Sequence, residues 1–338
     1  MNKLKIELER PEPLYLIVKK KILDLIENGY LKDNDKLPPE EIIAKDNNIS
    51  RGTVRQALKE LEIEGIIKRY PKMGTFIALK KEEKIKKICI ISKASKERQN
   101  RDFFYGFELW GGIEEGIIKE GLEVSFIVSE KLKENIDFLN RFDGILYLIP
   151  MRDEIDILEK IKDKNIPLMI VGARVEGFNY VAIDNKKGVE KAIKHLFEYG
   201  HKKIGGIFFP LNYFDGYERY QYFLEMLKKY NLEVKKEWIK IMKEYWAENW
   251  KNEAKNLMKE ILNAKERPTA IFCSSALATI GVKECLDEER ERISLIGFDD
   301  FYLARYLKPP ITVISQPVWD IGKNGINKLV EIMKKGGE

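Results

Sequence analysis

The stretch Leu37–Ile77, LPPEEIIAKDNNISRGTVRQALKELEIEGIIKRYPKMGTFI, passes from helical to strand-like patterning, with turn residues between the segments, and sets the architecture of the first part of the chain. Pro38 and Pro39 followed by Glu40 and Glu41 open a helix, because a proline near the first helical position forfeits no hydrogen bond and carboxylates suit the positive end of the helix dipole. Ile42, Ile43 and Ala44 give that helix a short apolar face. Asn47-Asn48 ends it, since asparagine tolerates left-handed backbone, and Ser50 is a good N-cap for the helix that follows. In RGTVRQALKELEIEG the residues Val54, Ala57, Leu58 and Leu61 recur at i, i+3, i+4 and i+7, so one face of this helix is apolar. Arg51, Arg55 and Lys59 share the opposite face, with Thr53 and Gln56 beside them. Gly65 closes the helix, and Ile66–Tyr70 and Gly74–Ile77 read as two strands about a turn at Pro71-Lys72-Met73.

Two short helices joined by a tight turn make a helix-turn-helix, whose second helix enters a DNA major groove with its N-terminal residues leading. Arginines there suit phosphates and the O6/N7 edge of guanine, while threonine reaches a phosphate or a thymine methyl. On an isolated helix the same side chains read first as an ordinary charged surface. The strand pair that follows, a wing tipped by Lys72, tips the reading toward a winged helix-turn-helix. Upstream, Leu14, Ile17, Val18, Ile22, Leu25 and Ile26 form the core stripe of one more helix, from Pro13 to Glu27, stopped by Gly29.

The order P-L-Y, L-P-P-E, I-S-R-G-T-V-R-Q-A-L, E-G-I-I-K-R and G-T-F-I over residues 13 to 77 resembles the GntR family of bacterial transcription factors. That resemblance implies that Arg51, Thr53 and Arg55 are the principal DNA contacts and that Gly74 shapes the wing; Gln56 and Lys72 complete the candidate set. Two departures stand out. A basic residue often follows the glutamate of L-P-x-E, where this chain has Glu41, and the first glycine of the usual G-x-G wing turn is Lys72. The first removes a potential contact and the second adds one.

The chain of 338 residues is too long for one ordinary core, so it is modular. Its 60 Lys+Arg against 55 Asp+Glu exclude a histone-like polycation and an acidic disordered chain. Nearly all the positive excess lies early: 19 basic and 15 acidic residues through residue 86, against 41 and 40 beyond it. Cys89, Cys273 and Cys285 form no C-x-x-C pair, and His195 and His201 lack metal-ligating neighbours, so no disulfide framework, metal or cofactor is expected. No secretory signal or bilayer-length apolar run is present, which places the expected location in the cytoplasm and leaves out a membrane partner. The charged run at 79–87, LKKEEKIKK, reads as a linker, with a short helix as the alternative. Expected boundaries are a DNA-binding domain at 1–78, the linker, and a sensor at 88–338.

Beyond Ile88, continuous apolar runs alternate with helical segments: 89–92, 124–128, 144–149, 168–171, 181–183, 204–209, 270–273 and 294–298. Such runs are strands covered on both faces, so the fold class is α/β with parallel sheets, and the length favours two lobes around a cleft. Ligands in such folds bind at the carboxyl ends of the strands. None of the common hydrolase, nucleotide-binding or zinc-protease motifs occurs, so no enzyme is expected.

The segments FDGILYLIP, IPLMIVGARVEG, VAIDNKKGVEKAIKHLFEYGHKKIGGIFF, RPTAIFCSS, ISLIGFDD, PPITVISQP and IGKNGINKL resemble the LacI/GalR-type sensor domain, which is similar to periplasmic sugar-binding proteins. A GntR-type head on this sensor is the arrangement of the arabinose repressor group. The resemblance implies that Arg219 and Asp299 contact a ligand; Asp299 is otherwise a helix cap. Arg174 and Asp215 are further candidates near strand ends. Ser275 stands where the family usually has the asparagine of A-N-D, which reduces the hydrogen-bond partners for sugar hydroxyls. His201 is a family mark read as structural. Phe103, Phe104, Tyr105 and Trp110 are either a stacking wall at the first strand end or core. Together these imply a homodimeric repressor that binds duplex operator DNA and is released by a sugar or sugar derivative, with a phosphorylated sugar or sugar acid as variants. The alternative is a small-molecule receptor without direct DNA regulation.

Overall fold

The structure, a computed structural model, describes residues 12–79, 86–93, 103–243 and 250–335; of residues 103, 104, 302 and 303 it describes the backbone alone. Two compact units divide the chain, residues 1–84 and 85–338. Most of the expected linker, residues 80–85, lies outside the described residues.

In the first unit, α1 (Leu14–Glu27) buries Val18, Ile22 and Leu25 and ends before Gly29, whose φ of 71° only glycine adopts freely. Helix α2 (Glu40–Asp46) starts directly after Pro39 and is stopped by Asn48 at φ 52°. Its apolar face is narrower than the sequence suggests: Ile43 and Ala44 are buried but Ile42 is 46% exposed. Successive helical residues point about 100° apart, so three in a row cannot all face inward. Helix α3 (Arg51–Ile63) is capped by Ser50, whose Oγ accepts the Thr53 N–H at 3.1 Å, and it buries Val54, Ala57, Leu58 and Leu61. Burial of Val54, Leu58 and Leu61 contributes roughly 1.5–3 kcal/mol each, and the Ala57 methyl less. Strands β1 (Ile67–Tyr70) and β2 (Gly74–Ile77) pair antiparallel from Ile67↔Ile77 to Tyr70↔Gly74. Residues 34–37 lie along β2 as well, with the Leu37 N–H donating to Thr75 O at 2.9 Å and the Ile77 N–H to Asp35 O at 2.8 Å. That third segment anchors the wing to the helical core.

The second unit holds two five-stranded parallel sheets. One lobe has strands β3 (Lys87–Ser92), β4 (Glu123–Val128), β5 (Gly144–Leu148), β6 (Leu168–Val171) and β7 (Tyr180–Val181) in the order β4-β3-β5-β6-β7. Between them run α4 (Phe103–Glu120), α5 (Ser129–Leu132) and α6 (Ile155–Lys162). The other lobe has β8 (Ile204–Phe208), β9 (Ile239–Ile241), β10 (Ala270–Cys273), β11 (Ser294–Phe298) and β12 (Thr312–Ile314) in the order β12-β11-β10-β8-β9. Its helices are α7 (Asn185–Glu198), α8 (Phe214–Lys229), α9 (Trp250–Leu262) and α10 (Ala276–Glu288). The last helix, α11 (Val318–Lys335), returns to the first lobe and packs Ile321, Ile326, Leu329 and Val330 against β3, β5, β6 and α4.

The inner strands β5, β6, β8 and β10 are buried along their whole length, as continuous apolar runs require, whereas the edge strand β4 is not. The run at 181–183 is strand only at Tyr180–Val181, because the chain leaves the sheet there for the second lobe. Helices α4 and α11 approach so closely that a Cβ on Gly112 would stand 1.9 Å from the Trp319 carbonyl oxygen, and one on Gly322 2.3 Å from that of Leu109. Among the described residues no helix is long and apolar enough to cross a membrane.

Candidate functional site

The exposed face of α3 presents Arg51, Arg55, Gln56 and Lys59, with Thr53 half-buried beside them. Thr53 Oγ1 is already engaged with Ser50 Oγ at 2.8 Å, so the same threonine serves the helix cap. The arginines are held by carboxylates from α2 that the sequence reading did not connect to them. Glu40, 17% exposed, accepts from Arg55 Nε at 3.1 Å and from Arg69 Nη1 at 3.1 Å, and its Oε2 lies 3.6 Å from Arg51 Nε. Glu41, 67% exposed, pairs with Arg51 Nη1 at 2.7 Å. Glu40 therefore ties α2, α3 and β1 together and sets the direction of the α3 arginines. At the wing tip Lys72 stands exposed in left-handed backbone, φ 65°. Gly74 has φ 118°, which favours glycine; a Cβ there would meet only the Lys36 side chain, with Cε at 2.8 Å, and that flexible side chain can move aside.

The second unit brings together, at the carboxyl ends of its strands, the starts of α7 and α8 and the segments that follow β10, β11 and β12. Arg219, in the second turn of α8 and 3% exposed, donates from Nε to Asn185 Oδ1 at 2.8 Å and from Nη1 to Ser274 O at 2.7 Å and Asp299 Oδ1 at 3.3 Å. Its Nη2 lies 3.7 Å from Asp215 Oδ2, and the guanidinium carbon sits 3.8 Å from the Phe298 ring centroid. Asn185 also donates to Asp215 Oδ1 and Glu218 Oε2, each at 2.9 Å, while Gln316 Nε2 donates to Asp299 Oδ1. Burial pushes the Asp215 carboxyl up to about 6, against the pull of Arg219 and Asn185.

Three of the five expected ligand residues, Arg219, Asp299 and Asp215, thus form one network. Ser275 is buried next to it, but its Oγ caps α10 by accepting the Ala278 N–H at 3.3 Å. Asp299 faces Arg219, and its Oδ2 accepts the Ala276 N–H at 3.3 Å at the start of α10, a helix that precedes it in the chain rather than the one that follows. Arg174 is exposed and makes none of these contacts. The sequence reading missed Asn185, Ser274 and Gln316. Asn185 and Gln316 flank the two passages of the chain between the lobes, at the ends of β7 and β12, and that position was the available signal. His201 Nδ1 bonds Thr269 Oγ1 at 2.9 Å, away from the network.

A cavity of about 60 Å³ opens beside Asp299, bounded by Tyr105, Glu108, Asp300, Phe301 and Gln316. Tyr105 is therefore cleft wall, whereas Trp110 packs edge-on against Phe126 at 5.4 Å; the Phe103 and Phe104 side chains lie outside the described residues. Across the cleft the lobes touch. The Arg152 N–H donates to Asn212 O at 2.8 Å, Arg152 Nη1 donates to Leu211 O at 3.2 Å, and its guanidinium stacks 3.9 Å from the Tyr217 ring centroid. Met151 joins Phe209, Tyr213 and Leu277 in a small apolar seam. Two non-glycine residues in left-handed backbone border this region, Ile149 at φ 44° and Asp299 at φ 78°. For a β-branched residue that is a true outlier, and such strain concentrates at functional sites.

Comparison with known proteins agrees with both halves. Residues 14–77 match the family of bacterial regulatory proteins of the gntR type, and residues 193–338 match the periplasmic binding protein-like domain. The chain is similar to the HTH-type transcriptional repressor PurR of Photorhabdus laumondii, 35% identical over 199 residues that cover 56% of this chain and 57% of that protein. The chain spans 57 to 62% of the length of the first curated relatives it matches. It is also similar to the arabinose metabolism transcriptional repressor of Geobacillus stearothermophilus, 26% identical, over 97% of this chain and 93% of that one. Among solved structures, a regulatory protein of the LacI family from Chloroflexus aggregans superposes with a TM-score of 0.62 at 21% identity, covering 73% of this chain and 90% of that one. The chain therefore joins a first unit that matches the gntR family of bacterial regulatory proteins to a two-lobed second unit whose later part matches the periplasmic binding protein-like domain.

Proposed function

We propose that this protein is a ligand-responsive transcriptional repressor that works in the cytoplasm by binding rather than by catalysis, and that a neutral sugar releases it from operator DNA. The observation that carries the reading is the α3 face: Arg51, Arg55 and Gln56 stand exposed at the leading end of a capped recognition helix, beside a wing tipped by Lys72. Its relatives of the PurR and arabinose-repressor kinds are named as transcriptional repressors, which supports the same role here.

The charge balance of the cleft supports a neutral ligand. Arg219 spends its donors on Asn185, Ser274 O, Asp299 and Asp215, so two carboxylates face one guanidinium. A sugar phosphate or sugar acid would have to displace one of them, whereas hydroxyl groups can donate to the carboxylates and stack on Tyr105. Exposed Phe107 and Ile118 on α4, with Phe126 on the edge strand β4, give the first lobe an apolar surface suited to a second copy. A homodimer so formed presents two heads to a palindromic operator. A coupling of roughly 1–3 kcal/mol between effector and DNA then changes operator affinity 5- to 150-fold.

The test is a thermal-shift screen of neutral pentoses and hexoses against their phosphates, followed by binding to a duplex recovered by selection from random DNA. Neutral sugars that both stabilise the protein and weaken that complex are expected. Arg55→Ala should cost the complex about 1–3 kcal/mol if Arg55 grips a base edge. Failure of the protein to prefer any duplex would end the regulatory reading.

A further inference from the structure

We propose that Glu41 is a built-in competitor of the operator, attenuating DNA affinity by holding Arg51; this rests on the DNA-binding role of the α3 face given above. Arg51 is the first residue of the recognition helix, the position that leads into a groove. Its Nη1 is paired with Glu41 Oε1 at 2.7 Å, and its Nε lies 3.6 Å from Glu40 Oε2. A carboxylate oxygen and a phosphate oxygen are near equivalents to a guanidinium, so the complex with DNA exchanges one for the other rather than gaining a new contact.

The two glutamates differ in what holds them. Glu40 is half-sunk between Arg55 and Arg69 and is fixed by both, so it serves the fold and the aim of the arginines. Glu41 is 67% exposed, on the first turn of α2, and its ion-pair partner among the described residues is Arg51. Once Arg51 turns to DNA, the Glu41 carboxylate is left unpaired near a polyanion. Two costs therefore fall on every complex in which Arg51 is used: the broken ion pair and the stranded charge. Both are screened by salt and both vanish when the carboxylate becomes an amide. Exposed pairs of this kind are weak, so the attenuation amounts to roughly two- to fivefold in affinity at moderate salt.

Five proteins test this: wild type, Glu41→Gln, Glu41→Asp, Arg51→Ala and the Glu41→Gln/Arg51→Ala double variant, each as the whole 338-residue chain. Each is titrated with a duplex recovered by selection from random DNA and with a random-sequence duplex, over a series of salt concentrations. Glu41→Gln is expected to bind both duplexes more tightly, with the gain largest at low salt and a steeper dependence of log affinity on log salt, by up to about 0.9 if one more phosphate contact forms. Glu41→Asp, which keeps the charge, is expected to stay close to wild type. In the Arg51→Ala background the gain should disappear. An unchanged or weaker affinity of Glu41→Gln overturns the proposal, as does an equal gain without Arg51, which would make Glu41 a general repulsive charge. A wild-type protein that prefers no duplex at any salt overturns the underlying DNA-binding reading instead, so the two failures are distinct.

Discussion

Asp215 and Asp299 share one guanidinium, and they do not share it equally. Asp299 takes the shorter contact with Arg219 and adds Gln316 and the Ala276 N–H, whereas Asp215 sits 3.7 Å away and relies on Asn185. Burial raises the Asp215 carboxyl from 3.8 to about 6. A carboxyl whose folded value lies above its unfolded one favours folding most when protonated, and that contribution is lost as pH rises through about 6. Asp215→Asn should therefore match wild-type stability below pH 4, gain on it progressively between about pH 4 and 6 and keep a constant advantage above that, read as the difference in unfolding free energy between the two proteins at each pH. A constant difference across that range would show that Asp215 does not titrate there. That Arg219 and Asp299 belong to one site followed from the motifs around them and the resemblance those motifs carry; their ion pair was not legible, because it depends on how α8 is placed against the end of β11. Glu40 was not, since its reach to Arg55 and Arg69 depends on the angle between α2 and α3 and on where β1 returns.

The wing turn shows strain at the level of an element. Lys72 holds a left-handed backbone position, which costs a side-chain-bearing residue roughly 1–2 kcal/mol, while Met73 N–H closes the turn on Tyr70 O at 3.1 Å. Lys72→Gly relieves that strain but raises the entropy of the unfolded chain, so stability should change by less than about 1 kcal/mol. DNA affinity should fall nonetheless, with the salt dependence shallower by about 0.9 if Lys72 neutralises one phosphate. Loss of stability with unchanged DNA binding would mean that the lysine serves the fold alone. Elements whose burial writes a period were readable: the stripes of α1 and α3 and the apolar runs of β3, β5, β6, β8 and β10. The three-residue strands β9 and β12 were not, because such short edge strands are defined by the neighbour they pair with rather than by any pattern of their own.

At the scale of the second unit, the contacts of Arg152 with Leu211, Asn212 and Tyr217 clasp one lobe to the other over a seam of four buried side chains, Met151, Phe209, Tyr213 and Leu277. Cation–π stacking of this kind is worth roughly 0.5–2 kcal/mol, enough to shift a balanced open–closed equilibrium severalfold. Arg152→Ala should enlarge the radius of gyration seen by small-angle scattering without effector, and it should weaken any effector that binds the closed form. An unchanged scattering profile would assign closure to the apolar seam alone.

The return of α11 to the first lobe has a consequence for the order in which the protein is made. That lobe draws Val318, Ile321, Ile326, Leu329, Val330 and Met333 into the same core as Ile88, Ile90 and Leu146, with the entire second lobe intervening in the chain. A ribosome therefore delivers every strand of the second lobe before it delivers the helix that seals the first. Through that interval the nascent chain carries β3, β5 and β6 with one face covered only by α4. Arrested chains ending before Val318 should show a protease-resistant second lobe beside a first lobe that is readily cleaved, and chaperones that shield apolar sheet surface should bind them there.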